Sequence, residues 1–87
     1  MEAIIETIRS CGYFEFSYQG KTYLIQAENN KGWDYLSLWC TAPCLSCMHR
    51  VFFDGSDGVP EETMQELSDQ PFSEEHTVRE IIQEILI

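Results

Sequence analysis

Basic residues are scarce in this chain. Its 87 residues hold five Lys and Arg against 15 Asp and Glu, a formal net charge of −10. A surface of that sign repels phosphate backbones and anionic lipid, which argues against nucleic-acid and membrane-surface binding. Long apolar runs are also missing, and none approaches the ~18 residues needed to span a bilayer. The opening Met1-Glu2-Ala3-Ile4-Ile5-Glu6 lacks the basic flank and unbroken apolar core of a secretory signal. The expectation is a cytoplasmic protein, where thiols stay reduced and the four cysteines are not read as two disulfides. Phosphate-cradling glycine loops, internal repeats, low-complexity tracts and dividing linkers are absent, so residues 1–87 read as a single domain.

The charge is uneven. Residues 1–50 carry five acids and four bases, whereas residues 51–87 carry ten acids and one base. An acidic C-terminal half of this kind keeps a protein soluble or meets a basic partner. The apolar and aromatic content suffices for a core, so the chain is expected to fold. A domain this small buries only ~60% of its unfolded surface, which leaves little margin.

The stretch from Tyr13 to Cys40 organises the rest. In Tyr13–Tyr18, Phe14, Phe16 and Tyr18 alternate onto one face, as strand side chains do. Gln19-Gly20 is a two-residue break suited to a tight hairpin. Lys21–Glu28 continues the alternation with Tyr23, Ile25 and Ala27, and residues 29–32 (Asn-Asn-Lys-Gly) make a second turn. Trp33–Cys40 then places Leu36, Leu38 and Cys40 on one face and Trp33, Tyr35 and Trp39 on the other. Met48–Phe53 reads as a fourth strand.

Helices flank this meander. Ile4, Ile5 and Ile8 form the stripe of a first helix over Glu2–Cys11, extended by Met1 and Cys11 and ended by Gly12. Pro60 suits the first turn of a second helix, and Thr63-Met64-Gln65-Glu66 has capping-box spacing. Met64 and Leu67 face inward there, and Asp69-Gln70-Pro71 ends the segment. Thr77-Val78-Arg79-Glu80 is another capping box, followed by Val78, Ile81, Ile82, Ile85 and Leu86 at helical spacing. Burying those five side chains against Phe14, Phe16, Ile25 and Leu38 stabilises by roughly 1.5–3 kcal/mol each, before the entropy of ordering them. The fold expected is α+β: an antiparallel meander of three or four strands, one helix before it and two after.

This layout has a resemblance. A helix, a meander containing Phe14-Glu15-Phe16-Ser17-Tyr18-Gln19-Gly20-Lys21-Thr22-Tyr23, and a last helix opening Thr77-Val78-Arg79-Glu80-Ile81 resemble a loose group of small uncharacterised bacterial α+β proteins. The resemblance implies the fold and brings no activity, cofactor or site residue. The cysteine cluster departs from that group's pattern.

Cys40-Thr41-Ala42-Pro43-Cys44-Leu45-Ser46-Cys47-Met48-His49 is the one stretch where chemistry is plausible, and four readings compete for it. Zinc takes four thiolate or imidazole ligands, and Cys40, Cys44, Cys47 and His49 are the right types. Zinc sites usually draw their second pair from a distant segment, and here only Cys11 and His76 could supply one. The Cys-x3-Cys-x2-Cys spacing is similar to the iron–sulfur loop of radical S-adenosylmethionine enzymes, whose barrel does not fit in a chain this short. Trp39-Cys40-Thr41-Ala42-Pro43-Cys44 is similar to a thioredoxin site with one residue too many, followed by a strand where a thiol-activating helix is needed. The fourth reading is structural: cysteine is a small, readily buried hydrophobe, and Cys40 continues the Leu36 and Leu38 face.

Other chemistry has less to stand on. The acids of residues 54–58 (Asp-Gly-Ser-Asp-Gly) lack the spacing and distal Glu of a calcium loop and read as a turn. Glu61-Glu62 and Glu74-Glu75 read as solvated surface rather than acid–base pairs, and no Ser/His/Asp or Cys/His set with an orienting acid is visible. The remaining feature is the Trp33, Tyr35 and Trp39 face, which Tyr13 joins if the strands align. Either a helix covers it, or it stays open and marks an interface. The leading expectation is a small non-catalytic interaction or accessory module that meets another protein or itself and needs no cofactor. The alternative is a zinc-binding or thiol-redox domain built on Cys40, Cys44, Cys47 and His49.

Overall fold

Alternation along the chain resolves into one four-stranded antiparallel sheet with spatial order β1-β2-β3-β4. The computed structural model of the protein describes residues 2–54 and 58–86. The elements run α1 (Glu2–Cys11), β1 (Tyr13–Tyr18), β2 (Lys21–Asn30), β3 (Trp33–Ala42), β4 (Ser46–Phe53), α2 (Glu61–Ser68) and α3 (Val78–Leu86). The fold is the α+β arrangement expected, with the fourth strand present. Among the described residues, no helix is long and apolar enough to cross a membrane.

Two hairpins share one device. Gln19 and Gly20 have φ of 49° and 78°, and Lys31 and Gly32 have 56° and 83°. Positive φ at both loop positions gives a turn whose twist matches the flanking strands. The second turn is thus Lys31-Gly32 alone, and residues 29 and 30 belong to β2, which pairs Asn29 with Asp34 and Asn30 with Trp33.

Strand register sorts side chains into two faces. One face stacks the rows Phe14–Ile25–Leu38–His49, Phe16–Tyr23–Cys40–Ser46 and Ala27–Leu36–Val51. Onto it pack Ile4, Ile5 and Ile8 from α1, Met64 and Leu67 from α2, and Val78, Ile81 and Ile82 from α3, all buried. Phe14 and Ile85 pack against the same core, half-buried. Leu86 has no described side chain. All three helices therefore lie on one side, since their apolar stripes join a single core with that face. Cys11 departs from expectation: it is exposed, because the helix has turned its tenth residue away from the sheet before Gly12 ends it. Gly12 stops α1 as expected, with φ +89° and its amide donating to the Ile8 carbonyl at 2.7 Å.

The capping expectations divide. At α3 the Glu80 amide donates to the Thr77 hydroxyl oxygen (3.3 Å), and the Thr77 amide donates to Glu80 Oε1 (3.0 Å). That reciprocal pair is a capping box. At α2 the box does not form. Pro60 stands at the N-cap and Thr63 lies inside the helix, buried, because the helix starts at Glu61. The acidic turn at residues 54–58 falls largely on residues 55–57, outside the described residues.

The segment between α2 and α3 closes the core's open end. Phe72 meets Tyr23 (4.9 Å between ring centroids) and the edge of Tyr18 (5.9 Å). Pro71 and Thr77 form an isolated bridge, and Phe72 and Ser73 amides both donate to the His76 carbonyl. Arg9 ties α1 to the start of the α2 segment, donating through Nε and Nη2 to the Val59 carbonyl (3.1 and 2.7 Å).

Two outcomes test this layering. Ile81→Ala should lower the unfolding free energy by about 2–5 kcal/mol in urea titration, the cost of a cavity at a fully buried site. A loss below about 1 kcal/mol would mean that α3 does not bear on the sheet. Backbone hydrogen bonding from Thr77, with His76 beside it, holds the Glu80 carboxyl below its ordinary value. Its stabilising effect is therefore present above the unfolded-state value and is lost as pH falls through the folded one. The urea midpoint of wild type should exceed that of Glu80→Ala at neutral pH, and the gap should narrow as the pH is lowered through the acid range; a gap that does not narrow would remove the charge from the account.

Candidate functional site

The opposite face of the sheet carries the rows Glu28–Tyr35–Phe52, Tyr13–Gln26–Ser37–Arg50 and Glu15–Leu24–Trp39–Cys47. No helix among the described residues covers it. Trp33, Tyr35 and Trp39 all lie here, as their spacing indicated, and Tyr13 joins them. Trp33, Phe52 and Tyr13 are 57%, 53% and 51% exposed. Outside this face, the one other large hydrophobic so exposed among the described residues is Leu45, at the tip of the β3–β4 hairpin.

These rings form a continuous strip along β3 and β4. Trp33 meets Phe52 at 5.3 Å, and Phe52 meets the edge of Tyr35 at 6.2 Å. The Arg50 guanidinium lies 5.2 Å from the Tyr35 ring centroid and 6.0 Å from that of Trp39. Cations over aromatic faces are attracted to the negative π surface, so Arg50 extends the strip rather than interrupting it.

A hydrogen-bond hub fixes the strip from below. Glu28 Oε2 accepts from the Ser37 hydroxyl and from Trp39 Nε1 (3.2 Å), and it forms an ion pair with Arg50 Nη2 at 3.6 Å. Trp39 Nε1 also reaches Ser37 Oγ at 3.1 Å. Ser37 is fully buried within the sheet face, so its hydroxyl needs this partner. Trp39 is therefore half-buried with its polar edge already engaged, whereas Trp33 and Phe52 present free surface. Phe52, Arg50, Glu28 and Ser37 were absent from the residues singled out by sequence. The alternation of Arg50 and Phe52 against Val51 and Phe53 was the available signal for two of them.

The cysteine cluster is placed very differently. Cys40 lies on the helix-covered face opposite Ser46, whereas Cys47 pairs with Trp39 on the open face. An extra residue in β4, Met48, shifts the register between these pairs and returns His49 to the covered face opposite Leu38. Cys44 stands in the exposed hairpin loop. The sheet itself thus lies between Cys47 and the pair Cys40 and His49, and the four side chains do not converge on one point. Among the described residues, no three His, Cys, Asp or Glu are grouped to hold a metal ion. The zinc arrangement drawn from spacing does not fit this geometry, because neighbouring strand positions face opposite ways.

Cys40, Cys47 and His49 make local contacts instead. The Cys40 thiol donates to the Ala42 carbonyl (3.4 Å) and the Cys47 thiol to the His49 carbonyl (3.6 Å). His49 Nε2 lies 2.6 Å from the Pro71 carbonyl oxygen, tying β4 to the segment that carries Phe72. The chain continues from Cys44 into β4, so no helix begins there to activate a thiol. All four cysteines are free.

Comparison with protein-family models, with curated proteins and with solved structures finds no match to this chain. The assignment of a role therefore starts from the open face and the cluster alone.

The cluster generates a direct test. Under native conditions Cys11, Cys44 and Cys47 should react rapidly with a thiol reagent and Cys40 more slowly, and protein purified under reducing conditions should carry no stoichiometric zinc or iron. Stoichiometric metal with two or more protected thiols would require the β3–β4 hairpin to be rebuilt around it.

Proposed function

We propose that the protein is a small non-catalytic interaction module of the cytoplasm that docks through its open sheet face. One observation carries this reading: a continuous aromatic strip joins exposed Trp33 and Phe52 to half-buried Tyr35 on a face that no helix among the described residues covers. Large exposed aromatic patches are costly to leave in water and concentrate at interfaces, where Trp, Tyr and Arg contribute most of the binding energy. The hub beneath the strip supports the same reading. Glu28, Ser37 and Arg50 hold Trp39 and Tyr35 in place in the absence of a partner, so less side-chain freedom is lost on docking. Free thiols suit a reducing compartment.

A photo-crosslinking residue placed at Trp33 or Phe52 in the full chain, expressed in its native cells, should give discrete adducts. The same probe at Glu62, exposed on α2, should not. Adducts from position 33 should disappear when Phe52→Glu is added. Equal labelling at positions 33, 52 and 62 would remove the open face from consideration as a docking site.

A further inference from the structure

The occupant of the open face can be narrowed by charge. Its rows contain Glu15, Glu28 and Arg50, and Glu28 is paired with Arg50. These rows thus carry a net −1 of the chain's −10, and Asp34 and Asp54 flank their Trp33 and Phe52 end. Most of the chain's acids are elsewhere. Glu61, Glu62 and Glu66 are exposed on α2, Glu80 and Glu84 on α3, and Asp69, Glu74 and Glu75 between them. A basic partner is drawn to that helix layer and not to the sheet face. An acidic partner finds on the face a single cation, already neutralised.

We infer that the open face is filled by a second copy of the same chain, packed sheet against sheet about a two-fold axis with the helix layers outward. This rests on the docking-face reading above and names the occupant. A two-fold interface needs one patch that complements itself, and an aromatic strip whose one cation is paired within the same chain does so while bringing few like charges together. Packed sheets lie about 10 Å apart, with each helix layer beyond its own sheet. The two acidic layers are then separated by well over the Debye length of about 10 Å at 0.1 M salt, so their repulsion is screened.

The area is also adequate. Strands of six, ten, ten and eight residues, at ~3.3 Å per residue and ~4.8 Å apart, give a face of roughly 540 Å². Two such faces bury about 1,100 Å² in total, in the range of weak, transient interfaces. The dimer is accordingly weak and reversible, and twisted sheets meet with their strands about 30° apart.

Sedimentation velocity on the full chain tests this, from about 1 to 200 µM, a range that spans micromolar dissociation. Wild type should pass from the 10.1 kDa monomer to twice that mass. Trp emission should move to shorter wavelength and lose acrylamide quenching over the same range, because Trp33 becomes covered. Trp33→Glu and Phe52→Glu should stay monomeric with unchanged circular dichroism, whereas Glu62→Lys should still dimerise. Raising salt from about 0.05 to 0.5 M should preserve or strengthen the dimer, the sign expected when only screened repulsion opposes association. A wild type that remains monomeric at 200 µM overturns the inference, as does a dimer that survives both face substitutions. The fluorescence readout keeps the test decisive even where a variant misfolds. A monomeric chain that still gives Phe52-dependent adducts to another protein would retain the docking face and reject the second copy.

Discussion

One-sided burial is the constraint on which this structure depends. A sheet has two faces, and four strands of this length supply apolar side chains to both. The three helices carry only enough apolar stripe to cover one. Ile25, Leu36 and Leu38 are fully buried beneath Ile4, Ile8, Met64, Leu67 and Ile81, so that face is complete. Among the described residues, no further layer covers the other face. Beside Phe52 and Leu24, its large residues are consequently Tyr and Trp, which carry a polar edge, and an arginine, groups that tolerate water on one side and pack on the other.

The two faces are held by different physics. The covered face is a hydrophobic core whose members depend on volume and fit. Its exposed end is finished by rings, with Phe16 stacked on Tyr23 and Tyr23 against Phe72. Burial raises the Tyr23 hydroxyl above its ordinary value, as expected for a phenol at such a boundary. The open face relies on one carboxylate. Glu28 gathers a hydroxyl, an indole N–H and a guanidinium from β3 and β4, so three strands share one polar centre. Such a centre orders the surface at modest net stabilisation, because much of what it gains is offset by drying the charges.

Much of the architecture was legible in the residues. Gln19-Gly20 and Lys31-Gly32 were readable as turns, since glycine at the second position marks a backbone that other residues avoid. The α3 stripe and its Thr77–Glu80 cap were readable because both rest on local spacing. What failed was register-dependent. Thr63-x-x-Glu66 has capping spacing, yet helix starts are decided by where the chain turns, and Pro60 turns it three residues earlier. Nothing in Cys47-Met48-His49 announces an extra residue, so spacing alone suggested four convergent ligands where the strands send them apart. The open face was half-visible: Trp33, Tyr35 and Trp39 share a parity within one strand. Phe52, Arg50 and Glu28 reach them only through neighbouring strands, which sequence order cannot align. The α3 stripe was readable as lying on the Phe14 and Leu38 face, whereas which face α1 would cover was not, because both faces of β3 are apolar.

The same extra residue in β4 has a bearing on how the protein survives at high concentration. β4 is an edge strand, and a flat edge with unpaired amides is a template on which further chains can add without limit. An irregularity at Met48 twists that edge and breaks the even ladder an incoming strand would require. Ribbon growth is thereby discouraged at the strand nearest the exposed rings. A molecule that leaves so much aromatic surface uncovered remains dispersed more readily when the sheet border beside that surface is misaligned.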